Sequence, residues 1–147
     1  MEELNSAAPC GICRRTFLVQ SSLIAAAAAL AACGVPGGDL TAPTLPSNAS
    51  IKVTDYASLA NVGGVAMVSL GGAPLAVVRT GASSFVALSR VCPHQGGIVN
   101  QSGNGFLCPN HGAQFSATGQ WQGGQRTSSL HAYTTAYDPT TSTLTIS

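Results

Sequence analysis

A chain of 147 residues is the length of one ordinary domain, and this one sets six Lys and Arg against five Asp and Glu for a formal charge of +1. That basic density is too low for a nucleic-acid binder, and the balance gives no pull towards a polyanion. Asp39, Asp55 and Asp138 are the acids beyond residue 3, so paired-carboxylate hydrolysis lacks its groups; with no Ser/His/Asp set and no phosphate loop, catalysis by this chain alone is not expected.

Residues 1–32 stand apart from the rest. A polar opening leads to Arg14-Arg15 and Thr16-Phe17-Leu18, then to a small-residue apolar run from Val19 to Ala32 broken by Gln20-Ser21-Ser22. This resembles a twin-arginine export signal, whose route carries proteins already folded. Alanines behind paired arginines leave no polar face, unlike an ordinary surface helix. Leu30-Ala31-Ala32-Cys33 closes the run and resembles a bacterial lipobox, which makes Cys33 the lipidated first residue of the mature protein. Acyl chains embed at about 0.8 kcal/mol per CH₂, and more than one makes the attachment stable. The expected location is therefore the periplasmic or extracellular side of a membrane; Gly34 lacks the Asp associated with inner-membrane retention. An uncleaved anchor is the alternative, but Phe17 to Ala32 is sixteen residues where a span needs about twenty. Cys10 and Cys13 form a C-x2-C ahead of the arginines and leave with the signal.

Residues 33–50 read as a lipid-anchored linker. Gly34 to Ser50 is rich in Gly, Pro, Ser, Thr and Ala, which predicts a flexible tether stiffened by Pro36, Pro43 and Pro46. From Ile51 the pattern changes. Ile51-Lys52-Val53, Val65 to Leu70, Leu75 to Arg79 and Phe85 to Leu88 are short β-rich runs separated by Gly63-Gly64, Gly71-Gly72-Ala73-Pro74 and Gly81-Ala82-Ser83. Further on, Gly96 to Gln101 and Phe106-Leu107 flank a Ser102-Gly103-Asn104-Gly105 turn. Leu130 to Tyr137, the turn Asp138-Pro139-Thr140-Thr141 and Leu144 to Ile146 predict a last hairpin, with Tyr133, Tyr137 and Leu144 inward. The fold class is all-β, in one domain over residues 51–147.

Within that domain Cys92-Pro93-His94 and, thirteen residues on, Cys108-Pro109-Asn110-His111 supply two thiols and two imidazoles as a C-x-H and a C-x-x-H pair. Each pair brings two ligands within one turn of backbone. Structural zinc sites favour C-x2-4-C with H-x3-5-H, like ligands together; here each Cys travels with a His. Mixed pairing suits a binuclear cluster in which one iron takes two Cys and the other two His. A zinc-binding or purely structural surface module is the alternative reading.

The sequence then resembles the Rieske 2Fe-2S proteins. Cys92-Pro93-His94-Gln95-Gly96-Gly97 is similar to their box one, Cys108-Pro109-Asn110-His111-Gly112 to their box two, and Ala113-Gln114-Phe115 with Ala117-Thr118-Gly119 to the strand and turn that follow. The resemblance implies an antiparallel β-sandwich or small barrel with two cluster-binding loops. It implies one 2Fe-2S cluster per chain, held by Cys92 and Cys108 on one iron and by His94 and His111 on the outer one. Gly96, Gly97 and Gly112 then let backbone come close to sulfide. The implied function is one-electron transfer by an exported, membrane-tethered protein, as a subunit of a quinol-oxidising complex or a carrier for a cytochrome or another oxidoreductase. Where high-potential members carry two further Cys that form a disulfide, this chain has Gly97 and Asn110. Where they carry a Ser and a Tyr that donate to the cluster, it has Ala113 and Phe115. Trp121 and Phe106 are candidates for the core or for shielding the cluster. His131, with no Cys beside it, reads as structural.

Overall fold

Pro74-Leu75-Ala76-Val77-Val78 has no polar residue to offer water, and a strand of this kind must be covered on both faces. In the computed structural model, which describes residues 42–147, it lies in β3 (Ala73–Arg79). β3 is flanked by β2 (Val65–Leu70) and β4 (Phe85–Ser89), and β9 (Ala132–Tyr133) completes an antiparallel sheet of order β2-β3-β4-β9. Alternate side chains of β3 enter two separate cores. Leu75 and Val77 pack with Phe85, Ala87, Ile51, Leu59, Leu144 and Ile146, whereas Ala76 and Val78 pack with Leu88, Val99, Phe106, Phe115 and the two cysteines Cys92 and Cys108. The first core is closed by β1 (Ser50–Lys52), β10 (Thr135–Asp138) and β11 (Thr143–Ile146), in the order β1-β11-β10. The second is closed by β5 (Asn100–Ser102), β6 (Gly105–Leu107), β7 (Gln114–Ser116) and β8 (Trp121–Gly123) in sequence order. Every pairing is antiparallel, and the all-β expectation holds.

Register ties the middle sheet to the site. β3 and β4 pair Ala76 with Leu88 and Val77 with Ala87; a one-residue slip would turn Leu88 away from the cysteines and towards the other core. Burying one such Leu contributes about 1.5–3 kcal/mol.

Four details differ from the sequence reading. The run Leu130 to Tyr137 is two strands, because Ala132–Tyr133 pairs with β4 and Thr135–Asp138 with β11. Thr134 makes the crossing, exchanging backbone hydrogen bonds of 2.8 and 3.0 Å with Ser147. β1 begins one residue earlier than expected, and Val53 opens a 3-10 turn, Val53–Asp55, followed by a second at Ala57–Ala60. The end of the expected tether is docked: Tyr133 donates to the Pro43 carbonyl at 2.7 Å, Leu45 packs on the first core, and buried Ala49 accepts from the Ile146 N–H at 2.9 Å. Finally, Trp121 is 37% exposed because β8 is an edge strand paired with β7 alone, whereas Phe106 is buried beside both cysteines. The arginine pair Arg14-Arg15, the apolar run and the lipobox Cys33 lie outside the described residues, among which no helix is long and apolar enough to cross a membrane.

Candidate metal centre

Two six-residue loops built alike carry the ligand candidates. Box one runs from Cys92 to Gly97 between the bridged residues Val91 and Ile98; box two runs from Cys108 to Ala113 between the paired residues Leu107 and Gln114 of β6 and β7. In each, the Cys N–H donates to the sixth residue's carbonyl, Gly97 at 2.7 Å and Ala113 at 2.9 Å. The fifth residue's N–H returns to the Cys carbonyl, from Gly96 at 2.9 Å and Gly112 at 3.0 Å. That return bond needs a left-handed fifth residue. Gly96 and Gly112 have φ of 69° and 73°, where a side chain costs about 1–2 kcal/mol. Neither is crowded by neighbours, so these two glycines serve the turn rather than a close approach. Gly97 is the crowded one: a Cβ there would lie 2.6 Å from Asn110 Nδ2 and 3.2 Å from Cys108 Sγ. The repeat Cys-Pro-x-x-Gly, at 92–96 and 108–112, was the sequence signal for this matched pair of turns.

Arg90 clamps the base of box one, a role no motif announced. Its Nε donates to the Val99 carbonyl and its Nη2 to Asn100 Oδ1, both at 2.9 Å, while the Val99 N–H returns to the Arg90 carbonyl at 2.8 Å. Fully buried Ser89 turns the chain into the loop by accepting the Val91 N–H at 3.1 Å on its Oγ.

The loops bring all four predicted residues together in two like pairs. Cys92 and Cys108 are buried and free of any disulfide, and their sulfurs interact directly. Burial pushes the Cys92 thiol up, the backbone N–H of His94 opposes it, and Cys108 raises it again. A metal overcomes that bias by binding the thiolate. The imidazoles of His94 and His111 meet edge to face, centroids 4.8 Å apart and planes at 89°. His94 is half-buried and His111 exposed. His94 Nδ1 is buried with no hydrogen-bond partner, a state that costs about 1–3 kcal/mol unless something binds it. His131 takes no part in the pair and rests edge-on against Tyr133 at 4.7 Å.

This donor set fits a two-metal group. Among the described residues no three His, Cys, Asp or Glu converge on a single ion; the candidates form a thiol pair and an imidazole pair, the division of donors that distinguishes a Rieske centre from a Cys-only cluster. Ala113 and Phe115 are buried with the cysteines and offer no hydroxyl.

Comparison with known proteins agrees with this geometry. Over 92 residues the chain is 36% identical to the cytochrome b6-f complex iron-sulfur subunit 2 of Synechocystis sp., a match covering 59% of this chain and 51% of that one. The chain thus spans about half the length of this curated relative. A chain of a hyperthermophilic respiratory Complex III superposes with a TM-score of 0.54 at 22% identity, covering 86% of this chain and 93% of that one, a likeness of fold. The cyanobacterial plasma membrane Rieske protein of Synechocystis PCC 6803 gives a TM-score of 0.48 at 29% identity, covering 56% and 85%. Residues 50–134 match the family model described as Rieske [2Fe-2S] domain. That match settles the choice between zinc and iron-sulfur in favour of a 2Fe-2S cofactor. More than half of the sequence, including both Cys/His loops, falls within the match, and the chain belongs to the Rieske 2Fe-2S domain family.

Proposed function

We propose that this protein is an exported, membrane-tethered carrier of single electrons in which Cys92 and Cys108 hold one iron and His94 and His111 the other. The observation that carries the ligand assignment is the buried, unpartnered Nδ1 of His94 beside the ring of His111, with the two free thiols buried together. The cluster supplies reversible one-electron exchange when bound. The chain's own residues do the rest: the second core keeps water from the cysteines, the matched turns fix both loop tips, and exposed His111 presents the imidazole side to a partner.

The proposed partner is a quinol-oxidising complex, or a cytochrome or oxidoreductase fed by one. The Synechocystis relative, an iron-sulfur subunit of a cytochrome b6-f complex, supports that class. Anchoring is through a lipidated Cys33 after export on the twin-arginine signal. With Pro43 to Ala49 packed on the domain, residues 34–42 are the length between anchor and head, at most about 32 Å when extended. The test is made on protein from its native host. Metal analysis should find two irons per chain, and the reduced protein should give a Rieske-type EPR signal from the membrane fraction. Zinc in place of iron, or the protein recovered from the cytosol, refutes the corresponding half of the proposal.

A further inference from the structure

β2 leaves one backbone edge unused. Hydrogen bonds at the two ends of β3 fix which way its residues point: the Pro74 carbonyl accepts from the Arg90 N–H at 2.9 Å on the β4 side, whereas the Arg79 N–H donates to the Gly64 carbonyl at 2.9 Å on the β2 side. Direction alternates along an antiparallel strand, so Leu75 and Val77 also face β2, where they pair with Val68 and Ala66. Val65, Met67 and Ser69 therefore turn their N–H and C=O groups outward. Among the described residues β3 alone lies beside β2 in its sheet, and nothing meets that outward row.

Proteins blunt such an edge with charge, proline, a bulge or brevity. β2 has none of these. It runs six residues, Val-Ala-Met-Val-Ser-Leu, in unbroken register with β3, and no charged residue occurs from Tyr56 to Val78. The other sheet edges among the described residues are short or marked: β1 is three residues long and carries Lys52, β5 is three and β9 two, β10 is four and ends at Asp138, and β8 is three beside a register shift. Met67 and Val62, 37% and 60% exposed, add apolar surface on and beside the β2 edge.

We infer that β2 is a self-association edge: two copies of this chain pair through it, antiparallel about a two-fold axis at Met67, and so join their middle sheets into one. The register follows from the outward row. With Met67 opposite Met67, Val65 of each copy meets Ser69 of the other, and every outward N–H finds an outward C=O. A shift of one residue would set outward groups against inward ones. The absence of charge selects a second copy as the occupant, because like strands meet across the axis without repulsion and a charged partner finds nothing to complement. Residues 92–97 and 108–113 take no part, so each copy keeps its own metal loops and the inference stands apart from the ligand assignment.

The test uses the full-length protein in its host. Met67→Cys places an added thiol of each chain at the axis, where hydrogen-bonded antiparallel residues have Cα atoms about 5.5 Å apart, inside the range of about 4.4–6.8 Å that a disulfide spans. Oxidising intact cells with copper–phenanthroline should give a species of twice the chain mass that a reducing thiol reverses. Thr145→Cys, exposed on the central strand β11 of another sheet, reports chance collision and the native thiols, and should give several-fold less. In sedimentation of the purified protein in detergent, wild type and Thr145→Lys should run as dimers. Met67→Lys opposes two ammonium groups across the axis and should run at half that mass with its iron content unchanged. A monomeric wild type, equal cross-linking from positions 67 and 145, or a dimer that survives Met67→Lys overturns the inference. So does a cross-link to a different protein, which would give the edge to a strand of that partner. If Met67→Lys fails to accumulate, the comparison of the two cysteine variants decides.

Discussion

Gly97 and Asn110 are the residues at which the two metal loops touch: a Cβ added to Gly97 would stand 2.9 Å from Asn110 Cγ. The side chain at 110 has thus grown into the space that the absent side chain at 97 leaves. Noncovalent packing joins the loops at the two positions where high-potential relatives carry cysteines.

The first prediction follows from that distance. About 3 Å separates Cβ from the far sulfur of a disulfide, and the φ of Gly97 is not left-handed, so Gly97→Cys with Asn110→Cys should close a bridge with only a small adjustment at Cys108 Sγ, which the new Cβ would meet at 3.2 Å. Cross-linking a loop of this length stabilises by about 3 kcal/mol in the chain-entropy account. The double variant should melt higher than wild type, and the two new thiols should resist alkylation until reduced. Alkylation of both in unreduced, iron-loaded protein would show that the loops stand further apart.

His94→Ala or His111→Ala should abolish the Rieske EPR signal, because each removes one nitrogen of the imidazole pair. His131→Ala, whose ring rests on Tyr133, should leave the signal intact. A wild-type line shape in His94→Ala would mean that the buried Nδ1 serves something else.

The reduction potential should fall in the lower half of the range of about −150 to +300 mV spanned by Rieske centres. A hydroxyl aimed at sulfur favours the reduced, more negative cluster, and each one worth about 1–1.5 kcal/mol shifts a one-electron potential by about 40–65 mV. Ala113 and Phe115, both buried with the cysteines, provide none. Ala113→Ser with Phe115→Tyr should raise the potential by several tens of millivolts in protein-film voltammetry. No rise, with iron content unchanged, would assign the potential to burial or net charge.

The last hairpin should be sensitive to acid through Asp138. The Thr141 hydroxyl and the Thr140 N–H, each at 2.8 Å, hold its carboxyl below the ordinary range. A depressed folded pKa gives stability that is present above the unfolded value of about 3.9 and lost as pH falls through the folded one. Asp138→Asn should therefore melt below wild type near neutrality, and the difference should close below pH ~3.9. A gap that persists into acid would assign the effect to hairpin geometry rather than charge.

Cys33 should be the acylated first residue of the mature protein by mass spectrometry. Residues found ahead of it would establish an uncleaved anchor instead. Replacing Arg14 and Arg15 with Lys should strand the precursor in the cytoplasm, since the export route reads the guanidinium pair.

The candidate ligands Cys92, His94, Cys108 and His111 stood out in the sequence because two Cys-Pro loops with a His at fixed offsets are local patterns, set by a few neighbouring residues. The strands were legible for the same reason, since alternation and turn residues act over short distances. What tertiary structure decided is non-local. Nothing in Leu130 to Tyr137 tells that Thr134 leaves one sheet for another, because both halves share the period of two. Leu45 and Ala49 look like tether until the surfaces that cover them exist. Trp121 reads as core by its size, yet an edge strand gives it nothing to pack beneath. The contacts of Gly97 with Asn110 and of Gly124 with Gly112 pass between loops whose spacing is set by the second core. A glycine shows in sequence that a side chain is missing; which neighbour fills the space is fixed only when the chain has folded around it.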